Sequence, residues 1–443
     1  MGLVTGGPID RGTFDRFRDS IEPGWVEEAL NVTGTATIRR RRFPAANVLW
    51  LVLGMALFRN LSIVDLVEHL QLVLPGGKKK IAPSAVAQRR AKLGPKPLRW
   101  LFEFTANKWA IDSAGASKWR GLDVFGLDGT TIRVPDSPEN RAHFGGHSAG
   151  SKRGQSGYPL VRLVTLMALR SHLLLAARFG PFRTSERHHA RDLIPLVPDN
   201  SLLIADRNLA YARDLIPLEA NGQNRHWLTR ARKNHKWRVV KRLGRGDELG
   251  EIKVNSQSRR QVPSLPEGWR IRVIRYQRKG FPEQRLLTSL LDPVEYPASE
   301  IRQLYHERWE IELGFDEAKT EMLERQESIR SKSPDGVEQE LWGLALAYNL
   351  VRLEMEKAAE LAGVPPVRMS FKSCFMMIRT QMLIFGAMKP GRLPKVVAQL
   401  AEDLSHFVLP ERRSQRRYPL AVKIKMSNYP RKRPPKQGGR PVK

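Results

Sequence analysis

Cysteine is almost missing from this chain: Cys374 is the one thiol in 443 residues. Neither an intramolecular disulfide nor a cysteine-rich zinc site is available, so folding rests on packing, as expected in a reducing compartment such as the cytosol or nucleoid. Acid is short as well. The 45 Asp and Glu face 75 Lys and Arg, a formal net charge of +30 that predicts a polyanionic partner, nucleic acid first. The most apolar run, Val48–Phe58, stops at Arg59, well short of the roughly 20 residues that span a bilayer. It reads as a buried helix, and no membrane partner is expected. The opening MGLVTGGPIDRG lacks both a basic n-region and an apolar h-region, which argues against secretion. There is no Walker A pattern, no dinucleotide GxGxxG fingerprint and no internal repeat, so a nucleotide cofactor or a nucleotide-driven motor is not expected.

What is present suffices for a large core. The hydrophobic fraction is 41%, with 10 Trp, 16 Phe and 8 Tyr, and at about 100–200 residues per domain the length predicts about three units. Helical periodicity at Trp25–Leu30, Ala45–Leu74 and Leu98–Ile111 predicts an all-α first domain over 1–115. It carries the Arg39–Arg42 run, the Lys78–Lys80 cluster, and a short helix with Ser84, Gln88, Arg89, Arg90 and Lys92. Arg89 and Arg90 are candidate DNA contacts there, although a solvated basic face fits equally. From 116 to 221 the texture becomes strand-like: LDVFGLDGTTIRV, YPLVRLVTLMAL and HLLLAARFG, then a helix, then SLLIAD. That order predicts a mixed α/β sheet. Short basic β pieces over 222–292 read as an insertion, helices return over 293–410, and 411–443 forms a basic, Pro-rich tail expected to face DNA.

In so basic a chain, an acid on a buried strand needs a reason, because desolvating a carboxylate is costly. Asp128, in the first strand, and Asp206, ending SLLIAD, meet that description. Read alone, Asp128 also fits an Asp-Gly turn and Asp206 the N-cap of a following helix. Asp123 and Asp136 sit at the strand entrance and exit and rank lower. On Ala298–Gln326, taken as one α-helix at about 100° per residue, Leu304, Ile311, Phe315, Ala318 and Met322 share an apolar face about 60° wide. Tyr305, Arg308, Glu312 and Lys319 fall on an adjoining stripe of about the same width. Glu310, Glu317, Glu321 and Glu324 point to the far side, Glu307 borders the opposite edge, and Asp316 is a substitute close to the stripe. Two strand-borne aspartates and one helix-borne glutamate supply hard oxygen ligands suited to two Mg²⁺ or Mn²⁺ ions, and hence to phosphoryl transfer on nucleic acid. Arg308 and Lys319 would hold phosphate beside them. A histidine zinc site is not expected: Gly145–Gly146 disrupts the His143/His147 spacing, and His188 and His189 are adjacent.

Tyr305-x2-Arg308-x3-Glu312-x6-Lys319 resembles the YREK signature of IS4-family bacterial transposases. The DDE triad of that family would fall on Asp128 in GLDGTTIRVPD, Asp206 in LLIADRNLA, and Glu312. FPAANVLWLVLGMALFRNLSIVDLVEHL, the stretch at 154–159 and the KMSNYPRKRP ending resemble the family too, so the likeness covers nearly the whole chain. DRNLA departs from the DRGF or DRGY form of many members but keeps the acid. The resemblance implies a ribonuclease H-like (retroviral integrase-like) core with a β-strand insertion, preceded by the all-α DNA-binding domain. It further implies a base-stacking tryptophan in the insertion, for which Trp237 and Trp269 are candidates.

The expected function is therefore a DDE transposase of the bacterial cytoplasm and nucleoid. It would act as a homodimer on double-stranded DNA, cleaving at terminal inverted repeats and joining the 3′-OH ends to target DNA. A non-catalytic, domesticated DNA-binding regulator and a metal-dependent nuclease without strand transfer are the rival readings.

Overall fold

The computed structural model describes residues 20–36, 43–70, 72, 81–147, 157–209, 211–232, 235–277, 283–324, 328–385 and 393–411. The Arg39–Arg42 run, Lys78–Lys80, residues 154–156 and the tail from 412 lie outside these. Among the described residues, no helix is long and apolar enough to cross a membrane.

Up to residue 115 the described residues form helices, as the periodicity predicts: α1 (Pro23–Val32), α2 (Ala45–Leu57), α3 (Ile63–His69), α4 (Pro83–Leu93) and α5 (Lys96–Gly115). The apolar stretch from Ala45 to Leu74 breaks into two because Ser62 takes up the Asp65 N–H at 3.1 Å and starts a new helix. α2 is buried along nearly its whole length.

β1 (Asp123–Arg133) pairs antiparallel with β2 (Leu160–Ala168), which pairs with β3 (Leu174–Pro181); α6 (Pro138–Phe144) follows β1. α7 (Glu186–Leu193) leads to β4 (Ser201–Ala205), parallel to β1, and α8 (Ala212–Ala220) leads to β5 (Arg225–Arg230), parallel to β4. The order β3-β2-β1-β4-β5 is that of a ribonuclease H-like core. β5 lies within the span 222–292 read as inserted, yet its pairing makes it the fifth core strand. The further strands β6 (Arg238–Gly244), β7 (Asp247–Lys253), β8 (Gly268–Tyr276) and β9 (Gln284–Thr288), with α9 (Ser256–Gln261), do not form a separate sheet. β9 pairs antiparallel with β5, and one nine-stranded sheet runs through to β6.

α10 (Ala298–Leu304), α11 (Trp309–Asp316), α12 (Pro334–Leu361), α13 (Phe371–Phe385) and α14 (Leu393–Ser405) complete the chain. α12 is the central pillar, buried along most of its length and packed against α2, α5, α13, α14 and β3. Two glycines permit its closest approaches. A Cβ on Gly343 would lie 2.7 Å from Val52 of α2, and one on Gly314 of α11 would lie 2.5 Å from Met167 and 3.1 Å from the Tyr348 hydroxyl.

Two buried charge networks lock this arrangement. Arg272 on β8, with no exposed surface, donates to both Asp247 oxygens at 2.8 and 2.6 Å and to the Leu290, Asp292 and Tyr296 carbonyls. It thereby ties the added strands to the turn entering α10. Glu317, just past α11, accepts from Tyr348 at 2.8 Å and lies 3.3 Å from both Arg352 and His172. Burial alone would raise its carboxyl, but Arg352, His172 and Tyr348 outweigh burial and hold it below its ordinary value.

Arg272→Ala should cost about 3–5 kcal/mol in urea unfolding, since it strands Asp247 without a counter-charge; a loss below about 1 kcal/mol would refute the locking role. Because the folded carboxyl of Glu317 titrates low, its stabilisation is complete above the free value of 4.5 and fades as pH falls through the folded value. Glu317→Gln should therefore be less stable at neutral pH, and its unfolding midpoint should fall less on acidification than that of the wild type. Parallel midpoint curves would show that Glu317 is not ionised in the fold.

Candidate active site

The register Leu127↔Ala205 between β1 and β4 places Asp128 and Asp206 at the next rung, on neighbouring parallel strands, which lie about 5 Å apart. Asp128 is within β1, not in an Asp-Gly turn, and its Oδ1 accepts the Gly129 N–H at 2.8 Å. Asp206 leaves β4 in a tight turn with Oδ1 accepting the Asn208 N–H at 2.8 Å; the residue before α8 is Tyr211, so Asp206 is not that helix's cap.

α11 crosses the face of β1 and brings up the third acid. Arg308 donates to Glu312 at 2.8 Å and lies 3.5 Å from Asp128, bridging strand and helix. Tyr305 is 9% exposed and packs beside Tyr276. Lys319 Nζ donates to Thr130 Oγ1 at 3.3 Å; Thr130 is two residues beyond Asp128 on the same strand. The structure thus brings Asp128, Asp206, Glu312, Tyr305, Arg308 and Lys319 together. Of the lower-ranked acids, Asp123 pairs with Lys118, Asp136 with Arg141, and Asp316 is exposed.

The helix is not the uniform α-helix of the 100° rule. Tyr305–Arg308 forms a 3₁₀ turn and Glu317–Met322 a π-helical segment, so the phase shifts twice between Tyr305 and Lys319. Leu304, Ile311, Phe315 and Met322 are buried as expected. Glu310 and Glu317, expected on the far side, meet His172 of the β2–β3 turn, and Glu317 also meets Arg352 of α12, because that turn and that helix cover a second face.

Electrostatically, the three acids share one field. Burial first, then the Asp206 and Glu312 charges, push Asp128 up to about 6, while the Gly129 N–H and Arg308 pull it down. Burial also raises Tyr305, which sits near Arg308, Arg230 and Asp206. Three hard carboxylates, two of which act through space on the third, are a donor set suited to a divalent cation. As they stand, no three acids among the described residues are gathered tightly enough to hold one ion; the Arg308 guanidinium occupies the gap between Asp128 and Glu312.

Other expected contacts fall elsewhere. On α4, Ser84, Gln88 and Lys92 are exposed, while Arg90 turns inward with Val86 and Leu93. Arg90 donates to Gln339 at 3.0 Å and Ser331 at 3.1 Å and pairs with Glu340; its guanidinium is engaged in holding α4 to α12. Arg89 is half-buried. Trp269 is 9% exposed, tilted against Trp227 and hydrogen-bonded to Glu219, and so belongs to the core. Trp237 is half-buried under Arg285 with its N–H on Glu248. Two residues near the acids escaped the sequence reading. Trp309 is 55% exposed, its ring 4.9 Å from the Arg308 guanidinium. Arg230 ends β5 near Tyr305. An aromatic next to the signature arginine was the available signal for the first; only strand pairing could locate the second.

Residues 11–103 match the insertion element 4 transposase N-terminal family, and residues 119–350 match the transposase DDE domain. The chain is 39% identical over 422 residues to the transposase InsG for insertion sequence element IS4 of Escherichia coli (strain K12), covering 95% of this chain and 94% of that protein. It is 36% identical over 274 residues to the InsZ protein of the same strain, covering 59% of this chain and 89% of InsZ. Among solved structures, a piggyBac transposase synaptic complex with hairpin DNA is similar at 11% identity and a TM-score of 0.41, covering 90% of this chain and 86% of that one. With a helical amino-terminal region, a ribonuclease H-like core bearing clustered acids, and likeness over nearly its full length, this chain belongs to the IS4 family of DDE transposases.

Proposed function

We propose that the protein binds the terminal inverted repeats of its own insertion sequence as a homodimer in the bacterial nucleoid, cleaves DNA at the element ends, and joins the freed 3′-OH ends to target DNA. The observation that carries this reading is the meeting of Asp128, Asp206 and Glu312 at one edge of the sheet, flanked by Tyr305, Arg308 and Lys319. Asp128, Asp206 and Glu312 are the residues that would hold two Mg²⁺ or Mn²⁺ ions. When bound, such ions supply activation of the attacking oxygen and charge stabilisation of the departing one.

The chain's own groups orient the strand. Arg308 hydrogen-bonds Glu312 in the free protein and has further donors for a phosphate oxygen. Lys319, held by Thr130, presents a compact cation on the same side. Tyr305 fills the floor between them, and the exposed ring of Trp309 is a platform for an unpaired base. Since one phosphodiester is exchanged for another, no nucleotide need be consumed, consistent with the missing P-loop. The amino-terminal helices and the added strands would supply end recognition and a salt-dependent grip.

Glu312→Gln and Asp206→Asn should each lower metal-dependent cleavage of DNA bearing the repeats that flank the gene by at least about 10³-fold, a loss of roughly 4 kcal/mol of transition-state stabilisation, while binding is retained. Chelation should abolish wild-type cleavage, and Mg²⁺ or Mn²⁺ should restore it. Equal binding without cleavage by any of the three proteins under either metal would favour the regulator reading. Cleavage with no joined product would favour a nuclease.

A further inference from the structure

Beyond Asp206, the edge of the sheet continues into a second charged cluster that the acids do not use. β1, β4 and β5 run parallel, and ligands of such sheets gather outside the carboxyl ends of the strands. The chain leaves β4 through Asp206 and Arg207 and leaves β5 through Arg230 to Arg232. Arg232 Nε donates to the Arg207 carbonyl at 2.8 Å, tying the two exits together. Tyr211, just before α8, receives the Arg232 guanidinium at 4.0 Å from its ring centre and that of Arg187, from α7, at 3.2 Å. Behind it, Asp214 lies 3.5–3.6 Å from Arg187, Arg191 and Arg213 alike. Arg213 also hydrogen-bonds Gln261 of α9, so the cluster touches the added strands.

An ion network that serves only stability tends to balance its charge, and this one does not. Three guanidinia share one carboxylate, and a fourth, Arg232, stacks beside them on the tyrosine. Arg187 Nε and Arg213 Nε face Asp214 only at 3.5–3.6 Å, Asp214 Oδ2 accepts no hydrogen bond, and Arg213 Nη2 and Arg232 Nη2 are buried without an acceptor, although unmade hydrogen bonds of charged groups are costly. The positive field reaches His235, which is held below its ordinary pKa first by burial and then by Arg232. The cluster opens to solvent at Arg187 and Arg191, 27% and 39% exposed. A guanidinium stacked on a ring keeps its donor edge for bidentate contact with a phosphate.

We propose that Arg187, Tyr211 and Arg232, backed by Arg191 and Arg213, seat one backbone phosphate of the DNA strand that runs past Asp206, and so position that strand at the acids. This rests on the DNA-cleaving reading above and adds a contact outside the tyrosine, arginine and lysine of the catalytic helix.

The test uses the full chain and two duplexes of equal length, one bearing the inverted repeat that flanks the gene and one unrelated. The wild type, the Arg187→Gln/Arg232→Gln pair and the Arg187→Lys/Arg232→Lys pair are compared for affinity across a salt series, cleavage rate and thermal unfolding midpoint. The glutamine pair should weaken binding to both duplexes by roughly 10-fold and reduce the salt slope by about one, the signature of a lost phosphate contact. Cleavage should slow, the midpoint should hold, and the lysine pair should recover part of the slope. An unchanged slope in a glutamine pair that still binds and cuts overturns the seat while leaving the DNA reading intact. A slope that falls only in step with the midpoint, without rescue by lysine, assigns the cluster to folding and also overturns it. Failure of the wild type to bind or cut either duplex defeats the DNA reading, and the seat with it.

Discussion

The parallel pairing of β1 with β4 is the constraint on which the active site depends. It places Asp128 of β1 beside Asp206, the first residue after β4, where two carboxylates repel each other and lose hydration together. In a chain of net charge +30, positive charge is abundant, and the fold aims one cation at this point. Arg308 sits between Asp128 and Glu312 and offsets part of the repulsion without abolishing it. Asp128 still titrates near 6, first because it is buried. The field is only partly relieved, and on the proposed function it is what would draw harder, more highly charged cations, with Tyr305 and Lys319 beside them for a phosphate backbone.

Keeping Glu312 opposite the two strands is the task of α12. α11 is held between sheet and pillar, with Gly314 allowing contact with both Met167 and Tyr348, and Glu317 anchored on Tyr348, Arg352 and His172. The same pillar receives α2 at Gly343 and α4 through Arg90. The amino-terminal helices are therefore packed on the element that supports the catalytic helix. From the other side, Arg272 fixes the added strands to the turn that opens α10. The amino-terminal helices, the added strands and the helix that bears Glu312 thus share one continuous core.

Much of this was legible because the local rules are strong. Strand alternation and buried apolar runs marked β1 to β4, and α13 occupies the span its periodicity indicates. The four-residue signature picks out Glu312, which the structure brings to Arg308 and Asp128 although the helix is not the uniform one assumed. The 3₁₀ turn and π-helical segment that displace the simple wheel arise from packing and lack a local signal. For the same reason the wheel places Glu310 and Glu317 on the far side without a partner: a single-helix projection knows of one buried face, and the β2–β3 turn and α12 supply a second. Arg90 is a candidate DNA contact by residue type and Trp269 a base-stacking candidate through the family resemblance, but their partners, Glu340 and Trp227, are contributed by distant segments.

The sequence by itself determined the acids, their family signature, the charge that calls for a polyanion, and the order of strands and helices. Each of these follows from residue type and near-neighbour spacing. The tertiary structure alone decided that the inserted strands extend the core sheet through β5 and β9, that Arg308 stands between the acids, and that Arg187, Tyr211 and Arg232 converge beyond Asp206. Those outcomes depend on pairing and desolvation between segments far apart in the chain, where hydrogen-bond register and buried charge, not local propensity, select the arrangement.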